Sequence, residues 1–537
     1  MIANNKRLSE KAVFFVLRTA VSCYFRSMSR SVVFKTYNQD QLSLLPPSYD
    51  DLVPKNHPVR IVNIIVDRLD ISALEKGYKG GGTSSYHPRM LLKVIIYAYL
   101  RNLYSSRKIE QALQENVHFM WLSGQSKPDH NTINDFRGKR LKGELKKIFN
   151  QVVLLLASEG IINIKDIYVD GTKIEANANR YTFVWGKNIK NGRERIKKQL
   201  KEIWRYVETV YADEEQTPNT PDFETIDPDK VAATIEDINQ ALAGKEVDKK
   251  VKQKLNYAKR NWPQNLKKYK KQEAKMGGRN SMSKTDPDAT FMRMKDDHMQ
   301  NGQLKPGYNV QISTNTQYIV NYTAAQTTAD TTTLKDHLTE HQESFNQTPE
   351  TLTADAGYGS EENYQTLEDN QIEGFVKYNY FHKEQREAKK EPNPFAPENL
   401  YYNPEKDCYY CPMGQRLENI GQYQRQTKTG FTQTIHRYQA KNCQGCPLRG
   451  ICHKAQENRI IERNYNLVRH KQNAKARLLS EEGIAKRKQR CWDVEAVFGN
   501  IKQNMNFKRF MLRGLDKINV EMGLIALAHN LKKASAV

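Results

Sequence analysis

The chain has 537 residues, 38% of them hydrophobic and 27% charged, and carries 84 Lys and Arg against 61 Asp and Glu, a formal charge of +23. That length exceeds what one hydrophobic core sustains, so several modules, or one domain with large insertions, are expected. The basic balance favours a polyanion such as DNA, because each phosphate neutralised by Lys or Arg releases condensed counterions; no run reaches the roughly 20 apolar residues of a membrane-spanning helix, so no membrane role is expected.

"AVFFVLRTAVSCYF" near the start resembles a signal-peptide core but is interrupted by Arg18 and lacks a small-residue cleavage site. Residues 1–33 are therefore read as an extension, with Met28 an alternative start. Five of the seven cysteines fall between Cys408 and Cys452, too clustered and too odd in number for a disulfide framework. A reducing, cytoplasmic and nucleoid-associated setting is expected.

Residues 34–158 read as an all-α N-terminal domain. Leu91, Leu92, Ile95, Ile96, Tyr99 and Leu100 share one helix face behind Pro88, and Ser105 or Ser106 can cap the next helix. In "PDHNTINDFRGKRL", Asn131 or Thr132 is the expected cap, with Arg137, Lys139 and Arg140 outward. This is compatible with a helix-turn-helix DNA reader or with a plain helical bundle carrying a basic face.

Residues 159–537 read as an α/β domain. A strand over 161–170 stops on Asp170; strands follow at Tyr308–Thr314 and Gln317–Ala325; a helix is capped by Asp330; a further strand halts on Asp355, and "IEGFVKY" adds another. That order is RNase H-like, interrupted by a helical insertion at 187–280 and a basic, Cys-rich insertion at 380–474. Within the first insertion, helices are expected around Ile196–Val207 and Val251–Trp262, separated by an acidic, Pro-containing loop. A dimerisation arm, a DNA clamp and a solvated scaffold all fit this insertion.

In open α/β sheets ligand groups gather at the carboxyl ends of strands. Asp170 and Asp355 both close apolar runs before glycine-containing turns, "DGT" and "DAGYG". A buried acid is costly unless paired or bound to a metal. Hard divalent cations such as Mg²⁺ or Mn²⁺ prefer carboxylate oxygens. Glu495, on "RCWDVEAVFGNIKQNM", is the third candidate, with Cys491, Phe498 and Lys502 at helical spacing around it. Two metals held this way, about 3.5–4 Å apart, would support in-line phosphoryl displacement. Separately, Cys408-x2-Cys411 and Cys443-x2-Cys446 have zinc-ligand spacing, with Cys452 or His453 able to replace one ligand.

From about Phe34 onward the sequence resembles the DDE transposases of bacterial insertion sequences. The resemblance is carried by "YHPRMLLKVIIYAYL", "PDHNTINDFR", "YVDGTKIEANANRYTFVWGK", "KPGYNVQIST", "TADAGYG" and "VEAVFGNIKQNMNFKRFMLRG". It implies that Asp170, Asp355 and Glu495 form the metal-binding triad. It also implies hydrolysis at the element's terminal inverted repeats and joining of the freed 3′ ends to target DNA, by a homodimer assembled on DNA. Of the Tyr-Arg-Glu-Lys signature around the third acid, Glu495 and Lys502 match. Cys491 stands at the arginine position, with Arg490 one residue earlier, and Lys488 stands at the tyrosine position. Arg490, Lys502, Lys508, Arg509 and Arg513 are the expected DNA-backbone contacts, which would position the duplex without reading it. A nuclease that cleaves without joining, and a DNA-binding relic without catalysis, are the other readings.

Overall fold

Pro88 occupies the first turn of a helix over Pro88–Leu100, and the His87 ring accepts the Arg89 N–H at 3.1 Å, so a proline lacking an N–H costs nothing there. This is a computed structural model describing residues 47–78, 85–212, 220–224, 226–294, 302–387 and 393–536. The expected extension at 1–33 lies outside them. A second helix runs from Ser106 to Glu115 as expected. The helix His130–Asp135 starts earlier than expected: Asp129 is the cap, accepting the Thr132 N–H at 2.9 Å. Arg137 corrects the expected outward basic face. It is buried, donating from Nη1 to the Tyr99 hydroxyl at 3.0 Å and the Tyr104 carbonyl at 2.6 Å. Lys139 remains at the surface, paired with Asp135 at 2.7 Å.

Eight strands follow: β1 (Asp166–Glu175), β2 (Phe183–Trp185), β3 (Ser281–Ser283), β4 (Thr290–Arg293), β5 (Leu304–Asn315), β6 (Tyr318–Ala325), β7 (Thr351–Ala354) and β8 (Glu373–Val376). Six of them form one mixed sheet in the order β4-β5-β1-β7-β8, with β6 also paired to β5. β1 lies antiparallel to β5 and parallel to β7. The expected stop at Asp170 is not observed. β1 runs five residues further because Gly171 to Glu175 stay in register with Gln311 to Gly307 of β5. β7 does end where expected, at Ala354 just before Asp355.

The helical insertion holds three helices, Gly186–Val210, Pro228–Ala241 and Lys249–Met276, around a separate core that includes Leu200, Trp204, Ile235, Leu255 and Trp262. The middle helix is new relative to the sequence reading: Asp227 caps it by accepting the Asp229 N–H at 3.1 Å, and Pro228 fills its first turn. The Cys-rich insertion is built on a five-stranded antiparallel sheet, β9 (Tyr401–Asn403), β10 (Cys408–Tyr410), β11 (Arg416–Gln426), β12 (Thr432–Ala440) and β13 (Ile460–Arg463), ordered β13-β12-β11-β10-β9. Buried Glu361 roots this sheet: its carboxylate accepts amide N–H groups from Gln433 at 2.7 Å, Asn464 at 2.5 Å and Asn466 at 3.0 Å.

A final helix, Leu515–Ala534, is buried on nearly every side, as a helix apolar all round must be. It packs on Pro88–Leu100, on Leu145–Ser158 and on β6. The Asn530 amide acts as a surrogate strand partner, accepting from the Ile319 N–H and donating to its carbonyl, each at 2.8 Å. Gly523 is required by close approach, since a Cβ there would sit 2.3 Å from the Tyr322 hydroxyl. One continuous apolar core runs from Val53 to Leu531, so the helical segment expected as a separate domain shares its core with the sheet.

Three buried histidines in this core are held neutral. His529 accepts from the Asn500 amide at 2.8 Å and donates to the Gln317 carbonyl at 2.9 Å; burial pushes it down to about 4. His341 is likewise lowered to about 4 by burial, and His337, between Ser313 and Thr323, falls well below its ordinary value. A histidine with a depressed folded value takes up its proton more readily when unfolded, so stability is lost as pH falls below 6.5 and the loss continues down to about 4. Thermal unfolding at pH 5 is expected well below that at pH 7.5, with about 2 kcal/mol lost per histidine. An unfolding midpoint that does not move over this range would refute the assignment.

Candidate active site

Tyr168 of β1 pairs with Thr353 of β7. Asp170 and Asp355 each lie two residues further on, Asp170 within β1 and Asp355 one residue past the end of β7. The Asp170 carboxylate is almost fully buried; its Oδ1 accepts the Gly171 N–H at 2.7 Å. Asp355 turns back on its own loop, accepting the Gly357 N–H at 2.8 Å and capping the short turn Ala356–Tyr358.

Glu495 reaches this region through an irregular helix. The stretch Cys491–Glu495 is π-helical, as is Asn500–Asn504, with the single α-turn Ala496–Gly499 between them. Such bulges concentrate at functional sites because they add a residue to a turn and rotate the side chains beyond it. Here the bulge sets Arg490, five residues before Glu495, on the same side as that acid. The Arg490 guanidinium bridges the two, donating to Asp170 Oδ2 at 3.2 Å and to Glu495 Oε1 at 3.4 Å. Arg490 and Asp170 have side chains 8% and 10% exposed, whereas Glu495 is 56% exposed, so the bridge runs from a buried floor to an open rim.

Asp330 is a fourth acid at the site, read in the sequence only as a helix cap. Its Oδ1 accepts from the Asn309 amide at 2.7 Å and the Gln311 amide at 3.2 Å. The Tyr358 hydroxyl donates to Gln311 Oε1, completing a polar floor. Gly171 permits this approach: a Cβ there would lie 2.5 Å from Gln311 Nε2 and 2.9 Å from Asp330 Oδ1. Burial, reinforced by the charges of Asp170, Asp330 and Asp355 and opposed by Arg490, holds the Tyr358 hydroxyl well above its ordinary value. One neutral phenol is thus surrounded by three acids and a cation. Asn309, Gln311 and Tyr358 left no signal in the sequence, because their role depends on which strand faces which.

The expected DNA-contacting cations divide. Lys508 is exposed. Arg509 and Arg513 are exposed as well but direct their guanidinium groups at the loop after β1: Arg509 donates to the carbonyls of Ala176 at 3.1 Å and Ala178 at 3.0 Å, and Arg513 to that of Asn177 at 2.7 Å. Lys502 is buried, and Arg490 is committed to the acids. Among the described residues no three His, Cys, Asp or Glu side chains stand at metal-holding geometry. Of the expected cysteine set, Cys408 stands apart from the others. Cys411, Cys443, Cys446, Cys452 and His453 line one cavity, while Cys408 is buried on β10 away from it.

The arrangement sets acids at neighbouring strand ends beside a buried arginine, in a chain of net charge +23. Two family models match, a transposase DDE domain over residues 410–535 and a transposase domain (DUF772) over residues 47–139. Both matches are to transposase domains, and together they are consistent with a DDE transposase of an insertion sequence. Glu495, Arg490 and Lys502 fall inside the first match; Asp170 and Asp355 precede it. No curated protein and no solved structure gives a match. Among the described residues no helix is long and apolar enough to cross a membrane.

Proposed function

We propose that the protein cleaves DNA at the terminal inverted repeats of an insertion sequence and joins the 3′ ends to target DNA. Asp170, Asp355 and Glu495 are the metal-binding acids of an RNase H-like catalytic domain. The observation that carries this reading is Arg490, which ties Glu495 to Asp170 beside the end of β7 that bears Asp355. The sheet order supports it, with Asp170 on β1 and Asp355 just past the end of the adjacent parallel strand β7.

The donor set fits Mg²⁺ or Mn²⁺: hard carboxylate oxygens, open to solvent on the Glu495 side. Asp170, Asp355 and Glu495 would hold the ion, which when bound activates the attacking oxygen and stabilises the leaving one. The chain's own residues do the rest. Asp330 and Tyr358 keep the floor polar, and Arg490 offsets repulsion between Asp170 and Glu495. Release of that bridge frees both carboxylates for metal and turns a buried cation toward phosphate. Lys508, Arg509 and Arg513 are the exposed cations of the expected set. A homodimer on DNA would hold the two element ends together.

The test is cleavage and strand transfer on a duplex carrying the element's own end, with Mg²⁺ or EDTA, comparing wild type with Asp355→Ala. Metal-dependent nicks and joined products, both absent from the variant, are the expected result. Nicks without joined products would replace this reading with a nuclease. Binding without cleavage in any divalent metal would replace it with a DNA-binding relic.

A further inference from the structure

The cavity in the Cys-rich insertion stands apart from the site just described. It measures about 40 Å³ and is lined by Cys411, Cys443, Cys446, Cys452, His453 and Arg459. All four cysteines are free thiols. They arrive on turns at one end of the small sheet, where Leu417 at the start of β11 pairs with Ala440 at the end of β12. Cys411 opens the β10–β11 turn, where its carbonyl accepts the Gly414 N–H at 2.8 Å. Cys443 and Cys446 straddle Gly445, which takes a left-handed conformation at φ 68° and turns the chain back after β12. Cys452 ends the single helical turn Arg449–Cys452.

Two further observations point to a negatively charged centre among these sulfurs. The Cys443 Sγ accepts the backbone N–H of Arg459 at 3.4 Å, the kind of bond that stabilises sulfur-borne charge. Arg459 itself is only 6% exposed, yet among the described residues no carboxylate pairs with it. Its guanidinium donates to Cys452 Sγ at 3.1 Å and to the Phe395 carbonyl. A buried cation needs a counter-charge, and four thiolates on a divalent ion carry a net charge of minus two. Both His453 ring nitrogens are also buried without a partner beside the same cavity.

We propose that this cavity is a structural zinc site ligated by Cys411, Cys443, Cys446 and Cys452, with Arg459 as its counter-ion and Cys408 excluded. Four soft sulfur donors on flexible turns suit tetrahedral zinc. The sulfurs surround the cavity without standing at ligand distance, and drawing them onto a common ion would staple the β10–β11 turn to the β12–β13 connection. A staple is what this sheet needs, because its own buried core is small, made of Leu400, Tyr409, Leu417, Tyr438, Ala440 and Ile461.

The test uses the full chain and is independent of DNA cleavage. Metal content after gel filtration is expected at about one zinc per chain in wild type and in Cys408→Ser. It should fall to background in Cys446→Ser and Cys452→Ser. Should those variants fail to fold, cobalt-substituted wild type is expected to show the absorption of a tetrahedral tetrathiolate centre. Wild type without zinc, iron in its place, zinc lost from Cys408→Ser but kept in Cys452→Ser, or a cobalt spectrum of mixed sulfur and nitrogen ligation would each overturn the assignment.

Discussion

Asp170→Asn is expected to reduce DNA cleavage by at least about 10²–10³-fold, the scale on which removal of one preorganised electrostatic group acts, while DNA affinity stays close to wild type. The substitution preserves shape and one acceptor but removes the charge that faces Arg490 at 3.2 Å. Arg490 is then a buried cation whose remaining acid, Glu495, is largely in water. Breaking a buried pair from one side is costly, up to about 3–5 kcal/mol, so a lower melting temperature should accompany the lost activity. Adding Arg490→Gln separates the effects: the double variant should regain stability without regaining cleavage. Cleavage retained by Asp170→Asn, with product formation followed on gels, would remove Asp170 from the triad.

The second large effect is expected at Glu521, far from the acids. Its buried carboxylate accepts the Tyr99 hydroxyl at 3.2 Å and the backbone N–H groups of Met511 and Leu512, both at 2.9 Å. The cation of Arg137 lies close enough to act on the same carboxylate. Glu521→Leu fits the space but leaves two buried N–H groups and a buried guanidinium without their acceptor, a loss of about 3–5 kcal/mol. Glu521→Gln keeps an acceptor and should lose less. Denaturant unfolding measures both, and equal stability for Glu521→Leu and wild type would show that the carboxylate contributes nothing to the fold.

Much of this was readable in the sequence where a single local signal suffices. Pro88 marks a helix start, the glycine turn marks the end of β7 at Asp355, and the apolar run marks β1. What failed depended on partners. Nothing in "YVDGTKIEA" shows that Gly171 to Glu175 remain paired to β5, so the strand was expected to stop at Asp170. Arg137 looks like surface charge until Tyr99 and Glu521, distant in sequence, are brought beside it. The acceptors for Arg509 and Arg513 are carbonyls more than 300 residues away, invisible to any local pattern. At the third acid the sequence shows Cys491 where an arginine belongs; a π-turn, which no composition announces, returns Arg490 to that face. In the Cys-rich segment the spacing could not show which cysteines share a cavity, because Cys408 lies buried on β10 away from it while Cys452 lines it.

The position of Leu515–Ala534 bears on how the molecule is made. This helix is the wedge between segments translated near the start, Pro88–Leu100 and Leu145–Ser158, and the strand β6. A nascent chain that has emerged only through Glu495 therefore carries every proposed catalytic acid yet has no closed core, and its early helices expose an apolar face that only later residues can cover. Contacts such as that of Tyr99 with Glu521, 422 residues apart, close the longest loop last. A truncated product lacking the helix would hold the acids without the scaffold that aligns them, so cutting capacity should arise only after residue 534 has left the ribosome.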